Sequence, residues 1–370
     1  MRGAQKRAVN AEELGGPLFN RHEGLPAPSD LFVRPEGVRT MPVDSTLTGD
    51  AAAAAEGFAE TVRRIGAGEL TFPLPGSGRT AERFAALSSV AEAGLCTARL
   101  VEGHVDAMAI RAELGEPPPP PPGERWGVWA AEPPGEGLTA VRDGSVWMLN
   151  GLKQYCSGAH SCTHALVTAR EGEVRRLFAV RVGEIGCRPL EGTWQAVGMA
   201  GSDTPGVQFS DVPAHLIGGP EAYVRRPGFW HGGIGVAACW YGGAVAASRV
   251  LREAAAGRAE PHTDAHLGAV DVQLYAAAAL LEQAADEIDA DPYDERGGAR
   301  LRAMRVRAFV ESVCREVLDH VGRATGAGPL CHDAAHARTV ADLSVYIRQH
   351  HAERDLAALG AHLARPEGEL

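Results

Sequence analysis

The chain predicts an α+β multidomain protein in three parts: an N-terminal helical domain, a small central β-barrel or β-sandwich domain, and a C-terminal antiparallel four-helix bundle. Three observations carry that prediction. Apolar residues recur at helical spacing before residue 115 and again after residue 227. Between those stretches, short runs rich in β-branched residues at 165–169, 176–182 and 207–212 alternate with Gly, Pro and Asp punctuation. Consecutive prolines from Pro117 to Pro122 separate the first helical stretch from the β unit. Proline donates no backbone hydrogen bond and disfavours helix before it, so this run reads as a stiff polyproline II spacer. The expected boundaries are 1–123, 124–222 and 223–370.

In chain order, residues 1–50 are rich in Gly, Pro and turn formers and read as an extended lead-in. Residues 51–65 (AAAAAEGFAETVRRI) favour helix, with Phe58, Val62 and Ile65 on one face. Residues 72–80 form a loop, and 80–114 one or two helices, with Phe84, Leu87, Val90, Leu95, Leu100, Val105, Met108 and Ile110 at helix-like spacing. After the β unit, 228–256 is small-residue-rich and apolar on most sides, which predicts a helix buried by close neighbours. A second helix is expected over 266–288 with Asp264 as its cap, then a polar break at 289–298. A third follows over 299–321, a Gly-rich turn over 322–329, and a fourth helix over 334–363. Four long helices with short connections favour an antiparallel bundle.

Composition bounds the function. The chain has 370 residues, 45% of them hydrophobic, and a formal charge of -11. No basic run offsets that charge, which argues against a nucleic-acid partner. No apolar run approaches the roughly 20 residues of a membrane span, and the basic N-terminus lacks the apolar stretch of a secretory signal, so a soluble, cytoplasmic protein is expected. The 7 cysteines form no C-x-x-C pair and read as reduced, mostly buried thiols. His160/His164 and His332/His336, the latter preceded by Cys331, have i, i+4 spacing, but no further ligands complete either pair, so no metal site is expected.

Four strings carry a resemblance. They are AAEPPG at 130–135, NGLKQYCSGA at 150–159, GMAGSDT at 198–204 leading into VQFSDVPAHLIG, and ATGAGPL at 324–330 followed by RTVADL. In order and spacing they resemble the acyl-CoA dehydrogenase superfamily of FAD-dependent flavoproteins over roughly 80–363. The resemblance implies FAD between the β and C-terminal helical domains, with backbone amides and hydroxyls against the isoalloxazine ring. By position, Ala131 and Glu132 form the first flavin-contacting turn, while Tyr155 and Ser157 supply an aromatic and a hydroxyl in the second. Gly326 and Gly328 bring backbone towards the adenine side, and Arg258, or Arg252, stands for the diphosphate-binding arginine. It further implies a small-molecule substrate (an acyl-CoA or similar), an electron-transfer flavoprotein or other acceptor, and a homodimer or homotetramer.

The sequence also departs from the family's pattern. Ala131 replaces a Thr, and Gly137 and Leu138 stand where Ser-Asp is usual, which weakens a CoA contact. The catalytic glutamate is missing: His350 occupies its position, and Gly232 the alternative one. Glu353, about one helical turn beyond His350, is the nearest carboxylate, and an imidazole of His350 or His351 is a second candidate base. Dehydrogenation of an acyl thioester at Cα–Cβ is the default expectation. A flavin monooxygenase of the same fold using a His base, and a degenerate binding or scaffold member, are the alternatives.

Overall fold

The computed structural model describes residues 49–116, 121–133, 135, 137–257 and 260–365. The expected lead-in, most of the proline run and Arg258 lie outside the described residues. Helix α1 (Gly49–Gly66) buries Ala54, Ala55, Phe58 and Val62, as its apolar spacing requires. The next helical stretch is two helices, α2 (Thr80–Ala93) and α3 (Leu95–Glu113), separated at Gly94. No neighbouring side chain caps α2. The Asp289 carboxylate instead accepts from the Thr80 N–H at 2.9 Å and from its hydroxyl at 2.6 Å, tying this N-terminus to a helix more than 200 residues away.

Seven strands follow: β1 (Trp126–Trp129), β2 (Thr139–Asp143), β3 (Val146–Lys153), β4 (His164–Glu171), β5 (Val174–Arg181), β6 (Cys187–Pro189) and β7 (Val207–Ile217). Strands β4, β2, β3, β7 and β5 pair in a ring, because β5 returns to β4, so the sheet closes into a small barrel. Strand β1 adds to β4 in parallel and β6 to β7. Closure removes the exposed edges that a sheet of this size would otherwise present. A bulge between Leu149 and Gly151 bends β3, and the Asn150 and Asp211 side chains bridge β3 to β7 there.

The C-terminal half contains the short α4 (Ala222–Arg225), α5 (Pro227–Ala247), α6 (Arg249–Gly257), α7 (Pro261–Ala290), α8 (Ala299–Thr325), α9 (Gly328–His332), α10 (Ala334–Tyr346) and α11 (Glu353–Ala364). Three expectations change. The first long helix breaks at Ser248 into α5 and α6. The cap of α7 is Glu260, which accepts from the Thr263 N–H; Asp264 lies inside the helix. Residues 322–325, expected in a turn, complete α8, which stops at Gly326 with φ 66°.

Helix α5 is the spine of the fold. It packs against α2, α3, α8 and α10, and its Ala237, Ala238, Cys239, Trp240, Tyr241 and Ala244 are buried. Small residues allow this closeness: a Cβ on Gly242 would stand 2.2 Å from the Ser88 carbonyl oxygen of α2. One apolar core runs from Phe58 through the inner face of the barrel (Trp129, Leu149, Phe178) to Ile347, so the two helical segments share a core. Burying a side chain of this size is worth about 1.5–3 kcal/mol. Residues 227–257 are long and apolar enough to cross a bilayer, but 83% of that stretch's most apolar window is buried inside the protein, as befits a core helix.

Candidate active site at the junction of barrel and helices

A cavity of about 1160 Å³ opens where the barrel meets α3, the start of α5 and the corner between α10 and α11. Its barrel wall is built from two turns. Residues 130–133 leave β1, and Tyr155 and Ser157 follow β3; Ala131, Glu132, Tyr155 and Ser157 all line the cavity. Tyr155 sits at φ 59°, a left-handed conformation uncommon for a bulky residue, and its side chain stays about half exposed. Trp129 Nε1 donates to the Ser157 carbonyl at 3.0 Å and fixes this turn. Thr204 Oγ1 donates to Ser157 Oγ at 3.1 Å and is linked in turn to Ser202 Oγ at 2.8 Å. Ser157 therefore keeps its own O–H free among the described residues. The main-chain N–H groups of Ala131, Glu132 and Ser157 likewise make no hydrogen bond to another described residue.

Glu132 is clamped by two arginines, of which Arg175 also lines the cavity. Arg175 Nε lies 2.6 Å from one of its oxygens and Arg170 Nη2 2.9 Å from the other. Burial would raise this carboxyl, but the hydrogen bonds and charge of Arg175, aided by Lys153 and Arg170, outweigh it and pull Glu132 down to about 2. Lys153, from the same string as Tyr155, is buried and brought to about 8 by desolvation. Its ammonium donates to the Thr168 carbonyl at 2.7 Å and hydroxyl at 2.8 Å, beneath the turn.

The helical wall is charged. Arg99, Glu102 and Asp106 project from α3 at one-turn spacing, Arg226 stands just before α5, and Arg307 comes from α8. Glu102 is 6% exposed and takes Arg99 Nη1 at 2.6 Å. Desolvation outweighs the attraction of Arg99, and the Asp106 charge adds to it, so Glu102 is pushed up to about 7. Arg226 donates to Glu113 at 2.9 Å and stands 3.8 Å from Asp106, whose Oδ1 is buried without a hydrogen bond among the described residues. Arg307 donates to the Gly233 and Gln349 carbonyls and lies 4.7 Å over the Trp240 ring. Tyr346 borders the same space, with its buried hydroxyl beside the Cys239 thiol.

The predicted base positions fall elsewhere. The expected helix 334–363 is interrupted: α10 ends in a 3-10 turn at Ile347–Gln349, and Ala352 turns the chain at φ 47° before α11 starts at Glu353. His350 and Glu353 therefore do not share a helix face. His350 is 4% exposed, its pKa is lowered by burial, and Asp355 lies 4.0 Å away; Glu353 is exposed in the first turn of α11. Neither lines the cavity, whereas His351 and Asp355 do, paired at 3.3 Å. Asp355 also accepts from the His351 N–H and so holds the corner. Gly326 and Gly328 lie outside the cavity lining, and Arg252 is on α6, away from it.

Gly232 lines the cavity for a different reason than a missing base. A Cβ there would stand 2.8 Å from Asp106 Oδ1, so the α3 carboxylate already fills the space beside it. Arg99, Glu102 and Asp106 escaped sequence reasoning, although their i, i+3 and i, i+4 spacing was available. Among the described residues no three His, Cys, Asp or Glu side chains converge as metal ligands. His160 instead meets Asp203 at 2.9 Å, and His164 stacks on Trp126. Five of the seven cysteines are buried, and all are free thiols.

No protein-family model matches the chain, and no curated protein matches it in sequence. Solved structures do. Dibenzothiophene monooxygenase (TdsC) from Paenibacillus sp. A11-2 superimposes with TM-score 0.70 at 18% identity, covering 85% of this chain and 95% of that one. Butyryl-CoA dehydrogenase from Megasphaera elsdenii gives 0.70 at 17%, covering 87% and 91%. A nitrososynthase from Micromonospora carbonacea var. africana gives 0.67 at 21%, covering 86% and 98%. TdsC has also been solved with FMN bound. The likeness is one of fold, and it spans enzymes of two reaction types.

Proposed function

Starting from the acyl-CoA dehydrogenase fold, which this chain has, we propose that the protein is a flavin-dependent monooxygenase acting on a polar small molecule held at the helical wall of the cavity. The observation that carries this reading is the charged lining of that wall: Arg99, Glu102, Asp106, Arg226 and Arg307. An aliphatic acyl chain laid there would strip water from ion pairs such as Arg99–Glu102 and Arg226–Glu113 and offer them no hydrogen bond in return. A polar substrate can replace the water on those groups with hydrogen bonds of its own. Acyl-thioester dehydrogenation, the first expectation from sequence, therefore becomes the second reading. No carboxylate lines the cavity from position 350 or 232 to support it.

The barrel wall fits a flavin. The unpaired N–H groups of Ala131, Glu132 and Ser157, with the Ser157 hydroxyl, are donors of the kind that the polar edge of an isoalloxazine needs. Tyr155 offers an aromatic face beside them. When bound and reduced, a flavin supplies two electrons to molecular oxygen, one atom of which joins the substrate while the other leaves as water. The chain's own part is to hold that ring edge, to orient the substrate against the α3 and α8 arginines, and to exclude bulk water. The resemblance points to FAD, with FMN as the other flavin, and to a homodimer or homotetramer.

Purification tests this. The reading expects a yellow protein, or one that turns yellow with added FAD or FMN, whose photoreduced flavin consumes oxygen. It also expects the oxidised flavin to stay coloured when an acyl-CoA panel is added anaerobically. Bleaching by an acyl-CoA returns the dehydrogenase reading; failure to bind either flavin leaves the scaffold reading.

A further inference from the structure

Four carboxylates line the cavity: Glu102, Asp106, Glu132 and Asp355. Two are held by partners, and a third, Asp106, is wedged against a neighbouring helix with its Oδ1 making no hydrogen bond to a described residue. Glu132 is clamped by Arg170 and Arg175, which removes its basicity. Asp355 holds the His351 main-chain N–H and ring. Asp106 fills the gap beside Gly232 and faces Arg226. Glu102 remains. One of its oxygens takes Arg99 at 2.6 Å, and the other makes no hydrogen bond to a described residue. The groups acting on it come from every side: Arg83 from α2, Arg99 and Asp106 from its own helix, Arg307 from α8, and the neutral Tyr223, Cys239 and Tyr346 from α4, α5 and α10. Arg83 is itself buried and donates to the Pro73 carbonyl.

We propose that Glu102 is the proton acceptor of this site, taking the proton from a weakly acidic O–H or N–H group of the substrate, with Arg99 and Arg307 facing the anion left behind. The inference rests on the monooxygenase reading and adds a base and a substrate class to it. In the step, the O–H or N–H bond breaks, its electron pair stays on the substrate, and the proton passes to the free oxygen of Glu102. A more electron-rich substrate is the better partner for an electrophilic oxygen. A buried carboxyl brought close to neutrality can accept and return a proton at working pH, which a surface glutamate near its ordinary value cannot do as well. Position also matters: Glu102 lines the cavity from α3, and at the adjacent Gly103 this helix comes close to β1, where a Cβ would stand 3.9 Å from the Val128 nitrogen.

The test uses the flavin-loaded protein and 3-nitrophenol, a weaker acid than 4-nitrophenol, whose ionised form absorbs visibly apart from the neutral phenol. At about pH 7.5, where Glu102 is largely ionised and the free probe is not, binding to the wild type is expected to raise the phenolate absorbance together with a protonated-carboxyl infrared band. Glu102→Gln, which imitates the protonated acid, should keep the flavin spectrum and bind the phenolate without that band, and Glu102→Asp should restore part of the band. Without the probe, infrared titration should show a protonated carboxyl that disappears near neutrality in the wild type and is absent from Glu102→Gln. No probe-induced carboxyl band in the wild type, no ionisation of the probe by the wild type, or survival of the carboxyl band in Glu102→Gln overturns the assignment. The infrared titration can be run whether or not flavin binds. A protein without flavin therefore sinks the preceding reading while this carboxyl is still decided.

Discussion

The two facing walls of the cavity hold one carboxylate each in opposite states. On the barrel wall, Glu132 has two arginines on its two oxygens and is pulled down to about 2. On the helical wall, Glu102 has one arginine and a carboxylate neighbour, and burial pushes it up to about 7. The contrast shows that a charge partner alone does not fix a buried group; the count of donors against the loss of water does. It also divides the labour of the site. The barrel wall is electrostatically settled and presents neutral donors, suited to holding a cofactor edge. The helical wall is poised near neutrality, suited to moving a proton.

The largest effect should come from separating these two carboxylates by pH. Because the folded protein holds Glu102 protonated up to about 7, against an ordinary 4.5, its share of stability is complete below about pH 4.5. It is lost as pH rises through 7, and the loss is on the order of 3 kcal/mol from that shift. Glu132 behaves in the opposite sense. Its share is present above about 4.5 and is lost as pH falls towards about 2, on the order of 2 kcal/mol after discounting for its partial exposure. Urea midpoints measured from acid to mildly alkaline pH should therefore lose their neutral slope in Glu102→Gln and part of their acid slope in Glu132→Gln. Identical profiles for the two variants would remove the distinction between the walls.

Legibility in the sequence divides along the same line. Turns of the barrel wall are local: strings such as NGLKQYCSGA place Gly, Lys, Tyr and Ser at fixed offsets, so position alone brought Ala131, Glu132, Tyr155 and Ser157 to the cavity. Two other strings were legible for a reason visible only in three dimensions. Gly198 lies against the Ala341 carbonyl, where a Cβ would stand 2.0 Å away, and Asp342 accepts from the Met199 N–H, so GMAGSDT and RTVADL meet. The helical wall had no such mark. Charges at one-turn spacing, as at Arg99, Glu102 and Asp106, are ordinary on any exposed helix, and what buries these is distant chain: α5, with Gly232 and Gly233 at the contact, and α8. The corner at 350–352 was hidden too, because it contains neither Gly nor Pro and depends on Asp355 turning back to the His351 N–H.

A medium effect is expected from pressing on the helical wall sterically. Gly232→Ala places a methyl 2.8 Å from Asp106 Oδ1, so the carboxylate must swing and lose its approach to Arg226. Overpacking of this kind costs about 1–3 kcal/mol. The loss should appear in the thermal or urea midpoint, while flavin affinity, set by the opposite wall, should hold. A fall in flavin affinity as large as the fall in stability would mean that the walls are mechanically coupled.

The smallest effect tests the barrel wall by itself. Ser157 is 8% exposed, receives a hydrogen bond from Thr204, and keeps its own O–H available towards the cavity. In Ser157→Ala the Thr204 hydroxyl loses one acceptor but still reaches the Ser202 carbonyl at 3.2 Å and its hydroxyl at 2.8 Å, so no buried donor is orphaned. Stability should therefore change little. What is lost is one donor to the bound flavin edge, worth about 1 kcal/mol, or roughly a fivefold weaker flavin Kd by fluorescence titration. The main-chain N–H groups of Ala131, Glu132 and Ser157 remain, which is why binding should weaken and persist. Unchanged affinity would mean that the flavin edge does not reach Ser157, and the barrel wall would then hold it through the turn at 130–133 alone.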